Sequence, residues 1–361
     1  MGSSGHADDG ATPGPWLSRS TLLRGLAGAA LTGWLAACSN DDPDGAHVPR
    51  GARAPDPPAE TPTVAGTSVL AFADQSHRGD QLEVLRVRDV DDSWTSYDIT
   101  YRVRSAGPGA YADPVRVSGV LTLPRGDGPF PFAVLAHGFI DPASYERGQG
   151  MVRERRWLGT RGWATLHTDY RGHADSDPDP TGGADVRLGC AVDVIGALDA
   201  VRRSELPVDP HSGAVFGRSM GGGVVQKAAE IAPEAVRAVV AWAAVSSLET
   251  ENAQRFAVGD PARRRAFSSP LADPTTDPEF WLGVSARPYL ERITAPVLSV
   301  HGRSDVVCPP QFAEDTQAAM LAAGVDAELV WFSEGHAFHD DFEAAMRVTH
   351  DFLEQHARGT S

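Results

Sequence analysis

The 361-residue sequence predicts an α/β fold, a mainly parallel β-sheet with helices on both faces and a small insertion late in the chain. Two observations carry this. From about Val69 onward, short apolar runs alternate with helical stretches, and a strand–helix–strand rhythm requires crossovers that leave neighbouring strands parallel. The run Phe132 to Ala136 is also apolar at every position, the composition of a strand covered on both faces rather than one. With 42% hydrophobic and 22% charged residues, the chain can bury a sizeable core and is neither a disordered tail nor a polytopic membrane protein.

The elements follow in order. Tyr97 to Val103 and Val115 to Leu123 are β-rich runs around a Gly/Pro turn, which predicts an antiparallel start to the sheet. After Phe132 to Ala136 come a helix over Gln149 to Thr160, a strand over Trp163 to Thr168 and a helix over Leu188 to Arg203. A strand over Gly213 to Phe216 and a helix over Gly222 to Ile231 continue the alternation. Further strands are expected at Val236 to Val245, Val297 to Val300 and Ala327 to Phe332, with a last helix over Asp340 to His356. No repeat period is visible. One interval breaks the rhythm: Ser246 to Ala295 is far longer than a usual connection, and holds five large aromatic residues beside Arg263-Arg264-Arg265. Loops of that length are functional or carry their own structure, so a small helical cap over about 248–295 is expected, against the alternative of a surface excursion.

Charge narrows the choice of partners. Lys plus Arg number 32 against 48 Asp plus Glu, a net charge of −16, and Lys227 is the only lysine. Nucleic acid calls for a basic face, and anionic lipid attracts one, so neither is bound by charge alone. The three cysteines, Cys38, Cys190 and Cys308, make no disulfide framework; Cys190 and Cys308 fall on distant elements and are expected as free thiols.

The N-terminal residues read as an address. Arg19 and Arg24 precede a short apolar stretch, Leu26 to Ala37, too short to span a bilayer and shaped like a secretory signal. It closes on Leu35-Ala36-Ala37-Cys38, which resembles the lipobox of bacterial lipoproteins and implies lipid attachment at Cys38 after removal of residues 1–37. The stretch Ser18 to Arg24 is also similar to a twin-arginine signal lacking one arginine, which leaves the export route open. Residues 38–66 are rich in Pro, Asp, Ala and Gly, the composition of a flexible tether between a membrane surface and a domain over 67–361. The expected location is the outer face of a bacterial membrane.

Chemistry enters with Gly217-Arg218-Ser219-Met220-Gly221. A G-x-S-x-G string alone is weak, but this one follows an expected strand and opens an expected helix, the context of a nucleophile elbow. Flanking glycines remove Cβ atoms that would clash in so sharp a turn, and the helix N-terminus favours negative charge developing nearby. A serine hydroxyl needs a base to become a nucleophile, and the base needs an acid to orient it. In the chain order Ser, Asp or Glu, His, Asp305 follows one late strand and His336 the last. Rivals stand beside both: His339 for the base, and Glu249 for the acid with Asp305 as a turn residue.

Five segments in order carry a resemblance: His137-Gly138-Phe139, Asp169 to Ser176, Gly217 to Gly222, His301-Gly302-Arg303-Ser304-Asp305 and Glu334 to Phe338. Together they resemble the α/β-hydrolase superfamily, in the branch of the prolyl oligopeptidase catalytic domain, the dienelactone hydrolases and related bacterial esterases. The resemblance covers about three quarters of the chain. It implies a Ser219, Asp305 and His336 triad, with an oxyanion hole from the backbone N–H groups of Phe139 and Met220. Ser219 stands where dienelactone hydrolases use cysteine, so their substrate does not carry over.

The chemistry calls for no cofactor and no metal. Asp175, Asp177 and Asp179 alternate like a calcium loop, yet Pro180 stands where glycine is needed and Val186 where glutamate is. The expected activity is hydrolysis of a small carboxylic ester through an acyl-serine intermediate. Two alternatives remain: a propeller-free serine peptidase acting on short peptides, for Cys38 to Tyr97 is too short to make a propeller, and an inactive surface lipoprotein that only binds. The oligomeric state is not legible.

Overall fold

The computed structural model describes residues 66–358, so the signal, Cys38 and nearly all of the tether lie outside the described residues. After a short helix, α1 (Val69–Ala73), the chain forms β1 (Ser76–Val90), β2 (Trp94–Ala106) and β3 (Val115–Pro124). These pair antiparallel. Then β4 (Phe132–Ala136), α2 (Val152–Gly159), β5 (Ala164–Thr168), α3 (Leu188–Arg202), β6 (Ala214–Arg218), α4 (Met220–Ile231) and β7 (Ala238–Trp242) alternate as the sequence predicts. Beyond the insertion come β8 (Val297–Gly302), α8 (Pro310–Ala322), β9 (Ala327–Phe332) and α9 (Phe342–His356), the insertion itself holding α5 (Glu249–Phe256), α6 (Pro261–Phe267) and α7 (Pro278–Val284). The nine strands of the described residues join one sheet in the order β1-β2-β3-β5-β4-β6-β7-β8-β9. Every pairing from β5 through β9 is parallel.

Alternation along the strands sorts the core into two layers. Val134, Ala136, Val215 and Val239 face one side, where α3 and α4 pack. Ala133, Leu135, Phe216, Val240 and Leu298 face the other, against Trp157 and Leu158 of α2 and Met346 and Leu353 of α9. Burial on both faces explains why these strands are apolar at every position.

Three elements stand outside the series expected from sequence: α1, β1 and α8. β1 is a 15-residue edge strand whose sequence is largely polar and charged, with three breaks in its register against β2. Charges and bulges are how an edge strand avoids pairing with another chain, and they also erase its apolar signal. α8 opens on Pro309-Pro310, and proline is well suited to the first helical turn.

Candidate active site

β6 ends at Arg218, and Ser219 follows with φ 57° and ψ −120°, a backbone conformation that costs a non-glycine residue on the order of 1–3 kcal/mol. Hydrogen bonds on both sides over-determine it. Ser219 N–H donates to the carbonyl of Trp242 at the end of β7 (2.8 Å), and the Ser219 carbonyl accepts from Gly222 (2.9 Å) and Val245 (3.2 Å). The turn brings α4 hard against the end of β4: a Cβ at Gly221 would lie 2.0 Å from the Ala136 carbonyl oxygen. Gly221→Ala must therefore displace backbone, not a flexible side chain. It is expected to cost more than about 2 kcal/mol in a denaturation experiment, and at least about 10²-fold in turnover through misplacement of Ser219.

The acid and base come from neighbouring strand ends. Asp305 follows β8, its side chain wholly buried, and Oδ1 accepts from the N–H groups of Val307 (2.8 Å) and Cys308 (2.9 Å). Its Oδ2 accepts from Nδ1 of His336 at 2.8 Å. A carboxylate only accepts, so the proton sits on Nδ1 and leaves Nε2 as the free base. His301 lies on the other side, 3.5 Å from Oδ2, but its Nε2 hydrogen-bonds the Cys308 carbonyl (2.9 Å), and burial lowers its pKa. It stays neutral and adds no charge next to Asp305.

Cys308 links the two halves of the site. Its backbone N–H binds Asp305, and its buried thiol lies near the Ser219 hydroxyl. Burial pushes the thiol pKa up and keeps it protonated. Without substrate, the bond between a nucleophile and its base is commonly long or poorly aligned and tightens only in the reacting complex.

The loop after β4 closes the opposite side. His137 is buried, its pKa lowered to about 3 first by desolvation, and Nδ1 bonds the Gly138 carbonyl (2.7 Å). A Cβ on Gly138 would come 3.1 Å from Cβ of Ser219, so a side chain there would require the two to give way by a few tenths of an ångström. Among the described residues, no backbone carbonyl takes the N–H of Phe139 or of Met220, the first residue of α4. The Phe139 ring packs against Phe267 of α6 (6.0 Å between centroids), and Phe267 against Phe256 of α5 (4.7 Å).

The rivals fall elsewhere. Glu249 is not beside His336. It begins α5 and is buried with Lys227, whose Nζ donates to it at 2.6 Å, and with Arg187, which hydrogen-bonds its other oxygen. Those cations hold the Glu249 carboxyl down at about 2 despite burial. His339 is exposed, while its neighbour His336 reaches Asp305. Asp175 pairs with Arg147 (2.6 Å), Asp177 accepts from Arg116 N–H (2.8 Å) and Asp179 caps its own turn at Thr181 and Gly183. Cys190 and Cys308 are both free thiols. Sequence reasoning passed over Cys308 as a site residue, although its place three residues after Asp305 was a signal, and over the Lys227–Glu249–Arg187 cluster, whose members are remote in sequence.

Comparison with known proteins agrees with this fold. Residues 151–360, more than half of the chain, match the prolyl oligopeptidase family. The chain belongs to that family. It is accordingly a hydrolase of the serine type on the α/β-hydrolase fold. No match was found among curated proteins. Among solved structures it is similar to acetyl xylan esterase 1 from Thermoanaerobacterium sp. at 18% identity, covering 76% of this chain and 88% of that one with a TM-score of 0.57. An acetyl xylan esterase from Paenibacillus sp. R4 matches at 21% identity over 83% of this chain and 97% of its own, with a TM-score of 0.57. The Pyrococcus horikoshii acylaminoacyl peptidase matches at 14% identity over 77% of this chain, with a TM-score of 0.56, and the chain spans about half of that protein's length (51%). At these identities the likeness is one of fold.

Proposed function

We propose that this protein hydrolyses small carboxylic esters, with Ser219 as nucleophile, His336 as general base and Asp305 as the group that orients the imidazole. The observation that carries the reading is the 2.8 Å bond between His336 Nδ1 and Asp305, at the same edge of the parallel sheet where Ser219 is held in a strained strand-to-helix turn after β6. His336 Nε2 takes the hydroxyl proton as Ser219 Oγ attacks the ester carbonyl. The oxyanion forms against the N–H groups of Phe139 and Met220. His336 then returns the proton to the departing alcohol, leaving an acyl-serine that water cleaves by the same steps. Asp305→Asn keeps the shape of the acid but favours the wrong tautomer of His336. Turnover of p-nitrophenyl acetate is expected to fall by about 10³–10⁴-fold.

Ester rather than peptide is favoured by how the N-terminal part of the described chain is used. Residues 76–124 are β1 to β3 of the hydrolase sheet itself, and the acetyl xylan esterases match over nearly their whole length, whereas acylaminoacyl peptidase matches over half. The peptidase reading predicts faster turnover of proline-containing peptide anilides than of acetyl esters, and a panel of both decides. The α5–α7 segment is proposed as a cap, its aromatic side chains bounding the acyl site through Phe139.

We further propose export and lipid anchoring through Cys38. No described helix is long and apolar enough to cross a membrane. Expressed in a bacterium that processes lipoproteins, the wild type should sediment with membranes and Cys38→Ser should not; equal sedimentation of the two counts against the anchor.

A further inference from the structure

Two arginines outside the triad share a placement that ordinary surface packing does not require. Arg153, on α2, donates from Nη2 to the carbonyl of Ala337 (2.7 Å) and from Nη1 to that of Phe338 (3.2 Å), the first and second residues after His336. Arg255, on α5, hydrogen-bonds the carbonyl of Val306 and donates from Nε to that of Val307 (3.2 Å), the first and second residues after Asp305. Among the described residues neither guanidinium hydrogen-bonds or ion-pairs with a carboxylate, Glu154 and Glu334 acting on Arg153 only at longer range, so both direct their N–H groups at backbone carbonyls of the turns that carry the acid and the base.

We infer that Arg153 and Arg255 are positioning residues for the proposed hydrolysis, each fixing the turn on which one member of the His336–Asp305 pair rides. This rests on the triad reading given above. The His336 turn includes Phe338 at φ +52°, a conformation disfavoured for a side chain of that bulk. Phe338 is wholly buried against Trp242 (5.1 Å), the residue whose carbonyl holds Ser219 N–H. Displacement of the turn therefore moves His336 relative to both Asp305 and Ser219. From within, Glu334 accepts from the N–H groups of Asp340 and Asp341 (2.5 and 2.7 Å), and from without, Arg153 braces the turn while its guanidinium stacks 4.2 Å over Phe342. The Asp305 turn exposes Val306 and Val307, which supply no core anchor, and Arg255 ties it to the insertion. The position of α5 thereby bears on the acid of the triad.

Guanidinium forks bind two acceptors in a fixed geometry that lysine cannot reproduce. A misplacement of about 1 Å at a reacting group costs on the order of 10²-fold in rate. Arg153→Ala and Arg255→Ala are each expected to lower kcat for p-nitrophenyl acetate by about 10- to 100-fold with KM within about threefold. Arg153→Lys should recover only part of the loss. Arg153 borders a surface groove of about 620 Å³, so added ethylguanidinium should restore part of the activity of Arg153→Ala. Hydrogen exchange measured on the same variants should speed up selectively in 333–341 for Arg153→Ala and in 304–309 for Arg255→Ala. Alanine variants that keep kcat within twofold of an active wild type, or whose exchange rises evenly across the fold, overturn the inference. A wild type that turns over no ester counts instead against the proposed function, and the exchange pattern still decides whether the arginines hold these turns.

Discussion

Ser219→Ala is expected to lower ester turnover by at least about 10³-fold while leaving the fold intact. The hydroxyl is the group proposed to form the acyl intermediate, so its loss leaves only the oxyanion donors and binding to assist a direct attack by water. Stability should move little, within about 1 kcal/mol, because the hydrogen bonds that hold residue 219 in its strained conformation are all made by its backbone. A chemical denaturation curve beside the rate separates the two. A variant that stays as stable as the wild type and keeps a tenth or more of its activity removes Ser219 from the nucleophile role.

The second large effect is on stability. Glu249→Gln is expected to destabilise the protein by about 3–5 kcal/mol, because it removes the charge of the carboxylate that both Lys227 and Arg187 bind in a buried cluster where those cations remain. Lys227→Met should cost less, since Arg187 still compensates the carboxylate and the methionine fills the stem's space. The cluster joins α4, the start of α3 and α5, so its loss should free the insertion before the sheet. The pH dependence has a defined sign. Glu249 titrates at about 2 in the folded protein, below its ordinary value of 4.5. Its contribution is complete above pH 4.5 and is lost as the pH falls toward 2, so the wild type should lose stability through that window and Glu249→Gln should lose less. Thermal or urea midpoints measured from pH 7 down to pH 2.5 provide the check; parallel curves for the two proteins would contradict it.

Much of the fold was legible because its central strands are buried on both faces, which forces an apolar residue at every position of segments such as Phe132–Ala136 and Ala238–Trp242. Where burial is one-sided or absent that signal vanishes, and the exposed, charged β1 was missed for that reason. The candidate site was legible where chemistry sits at strand ends: Ser219 after β6, Asp305 after β8 and His336 after β9 are separated in sequence by the regular alternation of the fold. Glu249 could not be set aside from sequence, since it follows β7 as an acid might, and only the approach of Lys227 and Arg187 shows where its charge is used. Arg153 and Arg255 were equally invisible. Their partners are main-chain carbonyls, which every sequence contains and no motif records.

The most direct measurement is the site of covalent capture. The purified protein, treated with a fluorophosphonate and digested, should yield one adduct by mass spectrometry, on the Ser219 hydroxyl within the Gly217–Gly221 segment. The rate of labelling should fall at least about 10²-fold in His336→Ala, where no base draws off the proton. No adduct, an adduct on another serine, or labelling at an unchanged rate in His336→Ala would contradict the triad on which this account rests.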